Sequence, residues 1–215
     1  GAGDMGHGIA ELAAMRGFDV RLRDISPDVI ERARGAIRAS LDKLVAKNRI
    51  TRDAADAAMA RIRLTTDLAE AVGTVDLVIE AVPENLELKQ RVFAEVENAA
   101  APHAVLATNT SAMRIREIGA SMRDPSRLVG MHFFNPVLLM DLVEIIPGPA
   151  TRPDALVEVE AVTQNLGNTG RPLKDDPPGF VPNRLLSVCI RSAPPTPRAT
   201  IPTTATRNDP PRMPA

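Results

Sequence analysis

The chain's 215 residues are 44% hydrophobic and 25% charged, enough apolar material for the core of one ordinary domain and unlike disordered or collagen-like sequences. Twenty-six basic residues against 27 acidic ones leave a net charge of -1, and five Phe stand without any Trp or Tyr. No nucleic-acid partner is expected, because neither a positive surplus for phosphates nor aromatic platforms for bases is present.

In chain order, Gly8 to Arg16 reads as an Ala-rich helix stopped by Gly17, and Phe18 to Arg23 as a short strand with Val20 and Leu22 on one face. Ser26-Pro27-Asp28 opens a second helix, with Ser as the cap, Pro in the first turn and Asp at the positive end. Val29, Ile30, Ala33, Ile37, Leu41 and Leu44 recur along it at helical spacing, and a third helix is expected from about Thr51 to Arg61. Asp76 to Val82 is a buried strand that Pro83 stops, and Leu86 to Ala100 is helical. A strand at Val105 to Ala107, a short helix from Ala112 to Ala120 and strands at Leu128 to Phe134 and Leu142 to Ile146 follow. Thr151 to Leu166 closes the series as a helix with Thr151 and Asp154 at its start. Helices and strands alternating in this way predict an α/β domain with a parallel sheet covered on both faces.

The composition changes at Arg191. From there to Ala215 lie seven of the 19 Pro, five Thr and four Arg, with almost no large apolar side chains, so residues 191–215 are expected to form a disordered tail. A single Cys, Cys189, offers neither an internal disulfide nor a metal cluster. No apolar run nears the ~18 residues that span a bilayer. A cytoplasmic protein with no metal and no membrane partner is expected.

Gly1-Ala2-Gly3-Asp4-Met5-Gly6 fits the G-x-G-x-x-G pattern at the start of a helix. In that pattern the first Gly permits a tight turn, the second lets backbone approach a pyrophosphate, and the third allows close helix packing. Asp24 ends the next strand 21 residues after Gly3, where a carboxylate accepts hydrogen bonds from the ribose hydroxyls and repels a 2'-phosphate. Gly1, Gly3, Met5, Gly6 and Asp24 are therefore expected to hold NAD in preference to NADP, with Arg21 and Arg23 beside Asp24 as the reservation. A fingerprint of this type follows a strand, whereas here Gly1 opens the chain; the sequence is expected to be a fragment lacking that first, central strand.

GAGDMGHGIA at 1–10, DLVIEAVPENLELKQRVF at 76–93, ATNTSAM at 107–113, GMHFFNPVLLMDLVEII at 130–146 and DPPGFVPNRLL at 176–186 together resemble the 3-hydroxyacyl-CoA dehydrogenase family, especially its short-chain 3-hydroxybutyryl-CoA members. The resemblance implies a Rossmann-like, doubly wound NAD-binding domain over residues 1–175, with a helical-hairpin insertion after Asp24. It implies the start of a C-terminal helical domain at 176–190, and a homodimer built through that domain.

The same resemblance places His132 and Glu144 at the chemical centre. Alcohol oxidation needs a base for the hydroxyl proton, and a carboxylate on the other ring nitrogen fixes the tautomer and stabilises the imidazolium. By itself the sequence allows His132 a structural role at a strand end. Ser111 and Asn183 occupy the family's substrate-contacting positions, though a turn-capping Ser and a helix-capping Asn fit the local sequence equally well. Asn135 is expected to support the dyad. Glu84 and Lys89 resemble residues lining the cofactor cleft, against the alternative of a solvated pair at a helix start. Ser40 and Lys47, two helical turns apart in the insertion, are candidates for contacting coenzyme A, and a plain surface role suits them as well.

Leu138 and Asp141 replace a Pro and a Lys frequent in the family, and past Leu186 the resemblance ends in the Pro/Thr/Arg tail, as a shifted reading frame or a truncated gene would produce. The implied activity is oxidation of an L-3-hydroxyacyl-CoA to the 3-oxo thioester with NAD, the chain as written being expected to be inactive. Two alternatives stay open. One is a dehydrogenase of a non-CoA hydroxy acid, as in the lambda-crystallin and gulonate dehydrogenase relatives, and the other is a non-catalytic nucleotide-binding remnant.

Overall fold

A computed structural model describes residues 1–173. Seven strands and seven α-helices alternate through them: α1 (Asp4–Met15), β1 (Val20–Arg23), α2 (Pro27–Ala46), α3 (Arg52–Ala60), β2 (Ile62–Thr65), α4 (Leu68–Val72), β3 (Leu77–Glu80), α5 (Leu86–Ala99), β4 (Val105–Thr108), α6 (Ile115–Ile118), β5 (Leu128–Phe133), β6 (Leu142–Pro147), α7 (Pro153–Asn165) and β7 (Thr169–Pro172). Among the described residues β1 pairs with β2 in one parallel sheet, and β3-β4-β5-β6-β7 form a second. Within the second, β3, β4 and β5 run parallel, β6 is antiparallel to β5, and β7 is parallel to β6. The expected α/β fold with a mainly parallel sheet is what the chain adopts, and α2 and α3 form the helical insertion between β1 and β2.

Alternation along the strands divides the core into two layers. Val105, Ala107, Val129, Met131, Phe133, Val143 and Ile145 face Ile9 and Leu12 of α1 and Ala155 and Val159 of α7. Leu106, Leu128 and Ile146 face the other way, against Val72, Phe93, Val96, Ile115 and Ile118. Each fully buried side chain of this size contributes ~1.5 to 3 kcal/mol of hydrophobic stabilisation. A third cluster joins the back of α1 to the insertion, where Ala10, Ala14, Ala33, Ala55 and Ala58 let helices approach around Ile37 and Leu41.

Local chemistry sets most helix starts. Ser26, Thr51, Asp67 and Asn85 each accept the backbone N–H three residues on, at Val29, Ala54, Glu70 and Leu88, a cap typically worth ~1 kcal/mol. Three starts differ from the sequence expectation. Helix α1 begins at Asp4 rather than Gly8, because Gly3 is its N-cap and the fingerprint forms its first turn. The segment from Ala112 becomes helical only at Ile115, since the Thr110 hydroxyl accepts from the N–H groups of Ala112 and Met113 and holds them in a turn. Thr151 does not cap α7; its hydroxyl donates to Leu128 O and accepts from Gly148 N, and Arg152 is the N-cap. Strands β2 and β7 and helix α4 are additions that the sequence reading lacked. Among the described residues no helix is long and apolar enough to cross a membrane.

Candidate active site

The C-terminal ends of the parallel strands share one edge of the fold, the usual location of ligand crevices in open α/β sheets. The fingerprint lies there, between the ends of β1 and β3. A β-carbon on Gly1 would stand 2.6 Å from Ala81 O, and one on Gly6 would overlap the Gly1 carbonyl oxygen. The first and third glycines are thus packing requirements that hold the turn against β3. Gly3 differs, with nothing within 4 Å of its β-carbon position. That opening lies at the positive end of α1, whose N-cap makes no side-chain hydrogen bond, and it suits a pyrophosphate. Met5 is half-buried and packs onto the core between α1 and the sheet.

Asp24 caps the arrangement. Its Oδ2 accepts from Ala2 N at 2.9 Å and its Oδ1 from Ser26 N at 3.1 Å, which leaves a second lone pair on each oxygen for ribose hydroxyls. The two neighbouring arginines are turned to other work. Arg21 donates to Glu70 O and the Thr74 hydroxyl, and Arg23 Nε donates to Thr66 O. The glycine cradle, the open helix end and the half-buried carboxylate fit a dinucleotide with a free ribose, which is NAD.

Behind the cradle, Lys89 is 1% exposed. Its ammonium donates to both oxygens of Glu80, at 2.8 and 3.1 Å, and to Val82 O, and lies 3.2 Å from Glu84 Oε2. Glu80 also accepts from Val82 N and the Thr108 hydroxyl. Lys89 is therefore no solvated residue but an internal brace of the β3 and β4 ends. Glu84 is the half-exposed member, accepting from the Thr110 hydroxyl and from Ser111 N at 2.9 Å. Burial alone would raise its carboxyl pKa, but the Thr110 hydrogen bond, the Lys89 charge and the Ser111 N–H together hold it below the usual carboxylate range. Ser111 is thereby tied to the start of α5.

His132 and Glu144 are register partners across β5 and β6, with Nδ1 2.9 Å from Glu144 Oε2 and both side chains buried. The His132 ring also packs on Phe134, at 4.5 Å between ring centres. Such a pair orients an imidazole and stabilises its cation. Val137 just beyond packs on the cofactor helix, its Cγ2 3.1 Å from a β-carbon position on Gly8. Asn135 stands exposed between them, before Pro136.

The other sequence candidates lie elsewhere. Ser40 is half-buried beside Glu11 of α1, while Lys47 is the exposed C-cap of α2. Asn183, the segment 176–190 and the tail lie outside the described residues. Four polar residues of the site went unassigned in the sequence: Glu80, Thr108, Thr110 and Asn109, whose Oδ1 accepts from Phe133 N. Glu80 was detectable as an acid closing an apolar strand nine residues before a Lys; Asn109 had no signal beyond its place in ATNTSAM.

The family model described as "3-hydroxyacyl-CoA dehydrogenase, NAD binding domain" matches residues 1–175. A probable 3-hydroxybutyryl-CoA dehydrogenase of Deinococcus radiodurans is 41% identical over 194 residues, covering 90% of this chain and 68% of that protein. Its counterpart in Bacillus subtilis is 39% identical over 193 residues, covering 90% and 67%. The crystal structure of (S)-3-hydroxybutyryl-CoA dehydrogenase from Ralstonia eutropha aligns with a TM-score of 0.85 at 36% identity, over 88% of this chain and 66% of that one. With the fingerprint, the dyad and these similarities together, the chain belongs to the 3-hydroxyacyl-CoA dehydrogenase family.

Proposed function

We propose that the site serves NAD-dependent oxidation of the 3-hydroxyl of a short L-3-hydroxyacyl-CoA, such as 3-hydroxybutyryl-CoA, to the 3-oxo thioester. The substrate class follows the names of its relatives. The observation that carries the reading is the buried His132–Glu144 pair at the same sheet edge as the dinucleotide cradle. With Nδ1 engaged by Glu144, proton removal from the substrate hydroxyl falls to Nε2 of His132. Glu144 holds the tautomer and offsets the positive charge that then develops on the ring. Bound NAD supplies the hydride acceptor. Ser111 and Asn183 orient the acyl group and Asn135 supports the dyad, while Ser40 and Lys47, which lie apart from the dyad on the insertion, are the candidates for contacting the coenzyme A moiety. A cytoplasmic homodimer is part of the same proposal.

The test is NADH formation from L-3-hydroxybutyryl-CoA. His132→Gln is expected to lower turnover by ~100-fold or more with NAD affinity retained, since general-base catalysis is worth ~100 to 10,000-fold. Glu144→Gln should lower it as well. Turnover near the parent's in the His132 variant would return that residue to a structural role.

A further inference from the structure

We propose that Asn109 is a positioning residue for His132, its side-chain amide replacing a β4–β5 ladder bond and fixing the backbone on which the imidazole stands. The proposal rests on the reading of His132 as the base. Parallel pairing of β4 with β5 runs through Leu106↔Leu128, Ala107↔Val129 and Thr108↔Gly130, and goes no further, although β5 continues to Phe133. At Asn109 the chain leaves β5, and its own N–H donates to Glu80 O on β3 at 2.8 Å. The next residues turn toward Glu84, carrying Ser111 with them.

This parting of the strands carries the Ser111 loop toward Glu84 and away from β5. It would also leave a backbone donor of β5 without a strand partner, and Phe133 is buried, where an unmet N–H costs ~1 to 3 kcal/mol. Asn109 Oδ1 supplies the acceptor, 2.8 Å from Phe133 N. The longer reach of a side chain spans a gap that a neighbouring carbonyl no longer spans. His132 is consequently held from both sides: Glu144 on β6 takes its Nδ1, and Asn109 at the end of β4 takes the next peptide N–H.

Asn109→Leu keeps the size and removes the acceptor, while Asn109→Asp keeps the acceptor. In the full chain, three readouts separate positioning from general support: amide exchange at Phe133, the NMR signature of the His132 ring nitrogens, and kcat against KM for reduction of acetoacetyl-CoA by NADH. In the Leu variant the Phe133 amide should exchange ~10-fold faster, as loss of one hydrogen bond of ~1.4 kcal/mol implies. Its ring signals should change and its kcat fall by ~10-fold or more, the order expected when a reacting group is misplaced, with the KM for NADH unchanged. The Asp variant should restore all three. A folded Leu variant with parental ring signals and kcat overturns the proposal, as does an Asp variant that loses as much as Leu. If the Leu variant does not fold, Asn109→Ser, whose hydroxyl is too short to reach, is read by the same criteria. Parental turnover in His132→Gln would defeat the assignment of the base, and the exchange and ring signals then decide Asn109 separately.

Discussion

Lys89 and Glu80 form a buried ion pair at the end of β3, with Nζ 2.8 Å from Oε1 and both side chains nearly inaccessible. Withdrawing one partner strands the other charge away from water. Lys89→Met is expected to lower the unfolding free energy by ~3 to 5 kcal/mol, the usual cost of breaking a buried pair. Glu80→Gln introduced on top of it should recover a large part of that loss, because the neutral amide no longer needs a cation. Urea unfolding of both variants checks this. A loss under ~1 kcal/mol in the single variant would show the pair to behave as a solvated one.

Glu11 is buried on α1, its Oε1 has no hydrogen-bond partner, and burial pushes its pKa from 4.5 up to about 7, with the nearby Ser40 hydroxyl as a smaller opposing influence. A raised carboxyl pKa means that the folded chain binds the proton more tightly than the unfolded one. Its stabilising contribution is complete below about 4.5 and lost as pH rises through about 7. Glu11→Gln should flatten that decline and stabilise the protein at pH ~8 by ~1 to 2 kcal/mol, the order of an unmet buried polar group. Thermal melts of both proteins across this range test it, and parallel pH profiles would refute it.

Asp24 is expected to select NAD, since its carboxylate accepts from a ribose diol and repels a 2'-phosphate while Arg21 and Arg23 are bound to α4 and its flanks. Asp24→Ala should weaken NAD binding by ~10-fold, the scale of one charged hydrogen bond of ~1.5 kcal/mol, and narrow the preference over NADP. Isothermal titration calorimetry with both cofactors measures the ratio. Equal or tighter NADP binding by the unmutated chain would overturn the assignment.

What was legible in the sequence is what short range decides. The 3.6-residue stripe of α2, its Ser26 cap and the apolar runs of β3 and β5 each carry their own signal, and the glycine fingerprint with Asp24 is a local pattern at a set spacing. The segments Ile62–Thr65 and Thr169–Pro172 carry no such signal. They are four residues long, interrupted by Arg63 in one case and by Gly170 and Arg171 in the other, and are strands only because β1 and β6 offer them a ladder. The site shows the same division. His132 and Glu144 stood out through the motifs around them, but their contact depends on the antiparallel register of β5 and β6, and a slip of one residue would send the imidazole to the opposite face. Burial of Lys89 and the reach of Asn109 to Phe133 likewise arise where β3, β4 and β5 end side by side. The sequence alone determined the helices other than α4, the strands other than β2 and β7, and the His132, Glu144 and glycine-fingerprint groups, because propensity, periodicity and motif spacing act within short stretches of chain. Tertiary structure decided which of those groups meet, because strand register and the parting of neighbouring strands are set by packing between segments far apart in the chain.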